Sequence, residues 1–284
     1  MSGSLTLALP ARAPSQVFTL TTHATLRLGN LVTERAAQLR VRRTWRTTTP
    51  SGGHVFDLET LAQSQTPAQG SARLTAELAP LLEKLVLETD ATGRLVRVVN
   101  KPALRRQWAD LLPQLRAKYR RDPDIPPALL AQLGQVLDGD DVLETTLVHS
   151  PEYGLLFPRL YGQPFSLAVP VAGAARLPGF IGEIDLPLRT EALLADGDAL
   201  PGMAGIVRVA GEVDGSRYPA AEARQVLCTL TDRPNLDTRL NALHHEQYTF
   251  GSHHELLEAT RYTRAEIPGV VGRQLIVLLH TRDQ

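Results

Sequence analysis

This chain has one cysteine, three lysines, few aromatic residues and no long apolar run. With Cys228 alone in 284 residues, no intramolecular disulfide forms and no cysteine zinc cluster is available. The residue sits in the apolar run RQVLCTL, the setting of a buried, inert thiol rather than a reactive one. No stretch approaches the roughly 18 consecutive apolar residues of a membrane helix. A basic excess is also missing: 30 basic residues balance 30 acidic ones, which argues against a dedicated nucleic-acid binder. The only lysines are Lys84, Lys101 and Lys118, so the positive charge is carried by arginine. Arginine's planar fork suits carboxylate and phosphate, although a biased codon composition also produces such a chain.

Catalytic and nucleotide motifs are equally scarce. There is no P-loop and no G-x-S-x-G elbow. The strings Gly179-Phe180-Ile181-Gly182 and Gly269-Val270-Val271-Gly272 lack the dinucleotide fingerprint and its strand-to-helix setting. No fixed-period repeat or coiled-coil heptad is present. Nothing in the sequence calls for a cofactor. The start of the chain has no basic n-region, and its apolar segment 5–9 is too short for a secretory h-region. Two compartments stay open: the cytoplasm, or the periplasm if a native leader has been replaced by the Met1-Ser2-Gly3 start.

What is present is a globular composition, 43% hydrophobic and 21% charged, with material for a substantial core. Residues 1–15, holding Pro10 and Pro14, read as a flexible lead-in. Period-two alternation then predicts a strand from Gln16, with Phe18, Leu20, Leu26 and Leu28 on one face. A second strand over 33–48 sets Leu39, Val41 and Trp45 inward and Arg40, Arg42, Thr44 and Arg46 outward. Arg43 breaks that inner face, which predicts a bulge or an acidic partner. A short strand follows at 54–58, then a polar loop at 62–73 and a short helix at 74–82.

The best-specified stretch is 84–119. Leu85 and Leu87 alternate with polar residues, Asp90-Ala91-Thr92-Gly93 makes a hairpin turn, and 95–99 returns as the partner strand. Asn100 then reads as an N-cap, with Pro102 tolerated in the first helical turn. Leu104, Trp108, Leu111, Leu112, Leu115 and Tyr119 form one apolar stripe, with Pro113 predicted to kink the helix. Two further helices follow, one bearing Leu129, Leu130, Leu133, Val136 and Leu137, the other at 142–149. The acidic run 138–141 reads as helix capping; it lacks a calcium-binding loop.

Beyond Ser150 the helical pattern stops. Residues 152–171 read as a proline-rich crossing segment anchored by Tyr153, Phe157, Tyr161 and Phe165. Strands resume at 180–186, with Glu183 and Asp185 outward, and at 206–213. Residues 220–243 are ambiguous and lean helical, with one helix over 220–230 and another after Asn235. Strands at 254–263 and 274–281 close the chain, the last apolar on both faces and therefore central.

The segment ETDATGRLVRVVN, followed at once by a helix with Leu104, Trp108 and Leu111, resembles bacterial proteins of the LolA-like lipoprotein-carrier superfamily. Residues 88–112 carry the likeness, and element order extends it loosely over 16–281. The resemblance implies an incomplete, strongly curved antiparallel barrel with helices over its open side, and a concave apolar surface for a lipid-like ligand. No functional residue of that superfamily maps onto this chain.

The expected fold is α+β: a strongly curved antiparallel sheet (half-barrel) with a helical block at 100–150 between strand sets 16–99 and 151–284, in one domain. The first functional reading is a non-enzymatic binding or scaffold protein holding a hydrophobic small molecule or lipid beside Trp45, Trp108, Leu111, Leu115 and Tyr119. A second is a structural or partner-binding subunit that offers another protein its aromatic segment 153–165 or an exposed sheet edge. A third is a metal-dependent hydrolase. Residues 243–258 hold His244, His245, Glu246, His253, His254 and Glu255, half of the chain's eight histidines. Imidazole and carboxylate together suit a transition metal, yet adjacent histidines point apart on either a helix or a strand, so a polar hairpin explains the run as well.

Overall fold

Period-two alternation dominates the computed structural model, which describes residues 4–10, 15–67, 71–182, 184–195, 202–232, 236 and 239–281, the side chains of 71 and 72 excepted. The strands are β1 (Ser4–Thr6), β2 (Gln16–Leu28), β3 (Leu31–Thr48), β4 (His54–Thr66), β5 (Lys84–Thr89), β6 (Leu95–Val98) and β7 (Pro164–Ser166). They continue as β8 (Val171–Ile181), β9 (Ile184–Leu194), β10 (Met203–Val213), β11 (Asn241–Gly251), β12 (Leu256–Ile267) and β13 (Val271–Thr281). Eleven of them form an open antiparallel sheet in the order β6-β5-β4-β3-β2-β13-β12-β11-β10-β9-β8, and β1 pairs separately with β7. The fold class is α+β with the sheet predominant. The apolar last strand, β13, lies sixth of eleven, where both of its edges are paired.

Six helices are described: α1 (Ser71–Leu78), α2 (Lys101–Lys118), α3 (Pro127–Asp138), α4 (Val142–His149), α5 (Pro151–Leu156) and α6 (Ala220–Thr231). None is long and apolar enough to cross a membrane among the described residues. Contacts divide the chain into two compact units. Unit 1 comprises 1–8, 21–36 and 163–280; unit 2 comprises 9–20, 37–162 and 281–284. Domain boundaries read from composition follow the chain, whereas these units draw on separated stretches of it.

In unit 2, Phe56, Leu87 and Val98 stand in one buried row across β4, β5 and β6. Gly93 closes the β5–β6 turn with a φ of +81°. The Tyr161 ring packs so tightly on it that an added Cβ would lie 2.5 Å from Cδ2. Asn100 does not cap α2 with its side chain. It takes the Val86 amide on Oδ1 (2.8 Å) and donates Nδ2 to Lys84 O (2.9 Å), because the adjacent strand leaves those backbone groups unpaired. α2 runs through Pro113 without ending. Asp141, at the start of α4, likewise makes no side-chain capping bond.

The helices do not stop at Ser150. Its hydroxyl accepts the Tyr153 amide (3.1 Å) and Pro151 occupies the first turn, so the chain restarts as α5. Within the polar loop expected at 62–73, β4 extends to Thr66 and α1 begins at Ser71. The strand expected at 180–186 is divided: β8 ends at Ile181, Gly182 turns at a φ of +60°, and β9 starts at Ile184; Glu183 lies outside the described residues. The helix expected over 220–230 is α6. The one expected after Asn235, itself outside the described residues, gives way to β11 from Asn241. In the stretch read as a lead-in, Ser4–Thr6 pairs with Pro164–Ser166 and Leu7 is fully buried.

Candidate functional site

Both units place a polar cluster on an inward sheet face, and the clusters differ in how their charge is met. In unit 2, alternation along β3 turns Val41, Arg43 and Trp45 the same way. Arg43 is 7% exposed. Its Nη1 donates to Leu156 O of α5 (3.0 Å) and its Nη2 to Gln16 Oε1 (2.7 Å). The guanidinium lies over the rings of Phe18 and Phe56, at 4.8 and 5.2 Å from their centroids. Among the described residues no carboxylate pairs with it. Of the bulge or acidic partner expected from the sequence, the acid is replaced by a carbonyl, an amide and two aromatic faces, which solvate a cation without neutralising it. Burial pulls the Arg43 pKa below its ordinary value, opposed by Tyr161.

His54, at the start of β4, is buried beside this cation. Burial first, and the Arg43 charge second, lower its pKa. Its ring lies 5.6 Å from that of Phe56 and 6.4 Å from that of Trp45, edge-on in both cases. Two buried nitrogens here have no hydrogen-bond partner among the described residues: Trp45 Nε1 and His54 Nδ1. Phe157 packs on Phe56 at 6.0 Å between centroids and completes an aromatic wall.

The other residues expected at the ligand groove lie on α2. Trp108, Leu115 and Tyr119 are buried and Leu111 is half-buried. Trp108 packs on α3, where a Cβ at Gly134 would lie 3.2 Å from its Nε1. Trp45 is half-buried on β3 beside His54. Arg42 and Arg46 point outward and pair with Glu59 (2.8 Å) and Asp57 (2.9 Å) on exposed surface, as a solvated sheet face predicts. In the crossing segment Phe157, Tyr161 and Phe165 are buried and Tyr153 is half-buried, so these aromatics serve as core rather than as exposed anchors.

In unit 1, the antiparallel register brings Val277, Arg261, Glu246, Val209 and Ala192 into one row across β13 to β9. Leu275, Thr263, His244, Gly211 and Thr190 form the next row. Arg261 Nε donates to Glu246 Oε1 (2.6 Å), and the Tyr248 hydroxyl donates to Glu246 Oε2 (2.7 Å). His244 Nδ1 lies 2.8 Å from Thr263 Oγ1, while its Nε2 approaches Glu246 Oε1 at 3.3 Å without hydrogen-bond alignment. Burial alone would raise the Glu246 pKa. The charge of Arg261, with His244 and Tyr248, outweighs it and holds the carboxyl well below the usual range. Burial and the Glu246 charge push the Tyr248 hydroxyl well above its own. Gly211 makes room for the imidazole: a Cβ there would lie 3.0 Å from His244 Cδ2.

The four candidate metal ligands are not brought together. His244 points inward, whereas His245 and His253 are exposed. His254 Nδ1 accepts the Ala8 amide at 2.9 Å. Among the described residues no group of three or more His, Cys, Asp or Glu side chains is placed to hold a metal ion. Reasoning by adjacent histidines missed the real association, which follows period two: His244, Glu246 and Tyr248 alternate along β11. His54 also escaped notice, because a lone histidine at a strand start carries no motif.

No family model matches this chain, and no curated protein matches it. Solved structures with some likeness include a DUF1329 family protein from Desulfovibrio piger, with 8% identity, 94% of this chain and 86% of that chain covered, and a TM-score of 0.18. Another is a Vibrio parahaemolyticus domain named for outer membrane lipoprotein sorting, with 8% identity, 94% and 84% covered, and a TM-score of 0.16.

Proposed function

We propose that this chain is a non-enzymatic binding protein that holds a hydrophobic, lipid-like ligand within unit 2, between its sheet face and the helical block that follows β6. The inner face is apolar, with Phe18, Leu20, Val41, Phe56, Leu58 and Leu87 all buried in the core. The observation that carries the reading is Trp45. A half-buried indole ends this apolar face, and its Nε1 is shut off from water with no acceptor among the described residues. A finished core rarely leaves an indole N–H in that state.

Trp45 and Trp108 are the only tryptophans, so fluorescence reports the site directly. In a Trp108→Phe variant, titration with a neutral apolar probe, dodecanol, should shift Trp45 emission to the blue and saturate. Native mass spectrometry of protein purified from cells should show an added mass that organic extraction removes. A flat titration together with a bare native mass would sink the reading.

A further inference from the structure

Two inward-facing cations among the described residues, Lys101 and Arg261, come with an acid. Lys101, 7% exposed, donates Nζ to Glu144 Oε2 at 2.8 Å, and Glu144 also accepts the Val98 amide. Arg261 has Glu246. Arg43 is as buried as Lys101, lies in the same unit, and has no carboxylate among the described residues. An unpaired buried charge is costly, and proteins meet that cost with a counter-charge or with polar contacts.

The neighbours of Arg43 share its deficit. Arginine and tryptophan only donate hydrogen bonds, and an imidazole can donate from either ring nitrogen. The bonds to Leu156 and Gln16 engage both terminal nitrogens of the guanidinium but bring no negative charge. Trp45 Nε1 and His54 Nδ1 have no partner at all among the described residues. Ring-to-ring steps of 6.4 Å from Trp45 to His54 and 5.6 Å from His54 to Phe56, then 5.2 Å from Phe56 to the Arg43 guanidinium, keep the three in one neighbourhood. What this cluster lacks is an acceptor bearing negative charge. An ionised carboxylate is acceptor-only and anionic, and so answers both deficits.

We propose that Arg43, His54 and Trp45 form an oxyanion seat that receives the carboxylate of an amphipathic ligand, with its apolar chain lying along the inner face of unit 2. This rests on the proposed binding of a lipid-like ligand and adds the chemistry of its head group. Arg43 supplies the charge, Trp45 an N–H, and neutral His54 a second N–H through its Nδ1 tautomer.

The test compares dodecanoate, dodecanol and acetate by calorimetry and thermal shift on the full chain. Dodecanoate should bind about ten- to a hundredfold tighter than dodecanol, as expected for a hydrogen bond to a charged group. That gap should close in Arg43→Met and narrow in Trp45→Phe, which keeps an aromatic ring and removes only the indole donor. If Arg43→Met fails to fold, Trp45→Phe and Arg43→Lys still decide. Equal binding of dodecanoate and dodecanol by the wild type overturns the seat and leaves the apolar-ligand reading standing. Binding of neither, with acetate raising the melting temperature of the wild type but not of Arg43→Lys, supports the seat and removes the apolar body. No response to any of the three overturns both.

Discussion

Arg43 on β3 and Arg261 on β12 are both inward-facing arginines on sheet faces, and they are compensated in opposite ways. Arg261 is locked to Glu246, whose second oxygen holds the Tyr248 hydroxyl. That cluster is closed in charge, each being met by another, although His244 Nε2 makes no aligned hydrogen bond among the described residues. Arg43 rests on a carbonyl, an amide oxygen and two phenyl faces, beside two nitrogens that have no hydrogen-bond partner among the described residues. A closed network specifies structure. The other leaves two buried nitrogens without an acceptor among the described residues, the deficit on which the proposed carboxylate seat rests.

The sharpest way to break this contrast is to open the closed cluster. Glu246→Ala removes the counter-charge of Arg261 and should cost about 3–5 kcal/mol in urea denaturation followed by circular dichroism. A cost below about 1 kcal/mol would mean that water already serves Arg261 and that the two arginines are alike. Next comes Arg43→Met without ligand. Removing an unpaired buried charge offsets the loss of two hydrogen bonds, so the change should stay within about 1 kcal/mol of the wild type. A loss as large as that of Glu246→Ala would erase the distinction.

Acid should separate the clusters in sequence. The folded pKa of His54 is lowered, so the unfolded chain binds a proton there first. Stability of unit 2 should therefore fall as pH drops below about 6.5 and on through the lowered folded pKa. Glu246 also has a lowered folded pKa, but its contribution is fully present above the ordinary Glu value of about 4.3 and is lost only as pH falls beneath that. Tryptophan fluorescence, which reports unit 2 alone, should show the earlier loss, and His54→Phe should flatten it. The smallest effect belongs to Arg42, one residue from Arg43 but outward and paired with Glu59 at the surface. Arg42→Gln should move the urea midpoint by the equivalent of less than about 0.5 kcal/mol.

Much of the sheet was legible because alternation and turn chemistry are local. Gly93, the Leu85–Leu87 alternation and the α2 stripe all needed only their neighbours in sequence. Arg43 stood out as an inward charge, but what met it could not be read, because Gln16 and Leu156 lie 27 and 113 residues away. The histidine run misled for a related reason. Adjacency drew attention to His244-His245 and His253-His254, whereas strand geometry sends neighbours to opposite faces and joins His244 to Glu246 and, across the sheet, to Thr263. Asn100 failed as a cap because two strand backbone groups competed for its amide.

The division of the chain between its units has a practical consequence for handling the protein. The largest continuous piece of unit 1, residues 163–280, lacks the strand that pairs with β7 and the stretch 21–36. The largest piece of unit 2, residues 37–162, lacks Gln16 and Phe18, two of the groups that hold Arg43. No single cut in the gene therefore yields either unit whole. A protease nick is survivable only while the pieces stay associated, and recombination that exchanges one unit for a homologous one must swap several separate segments at once.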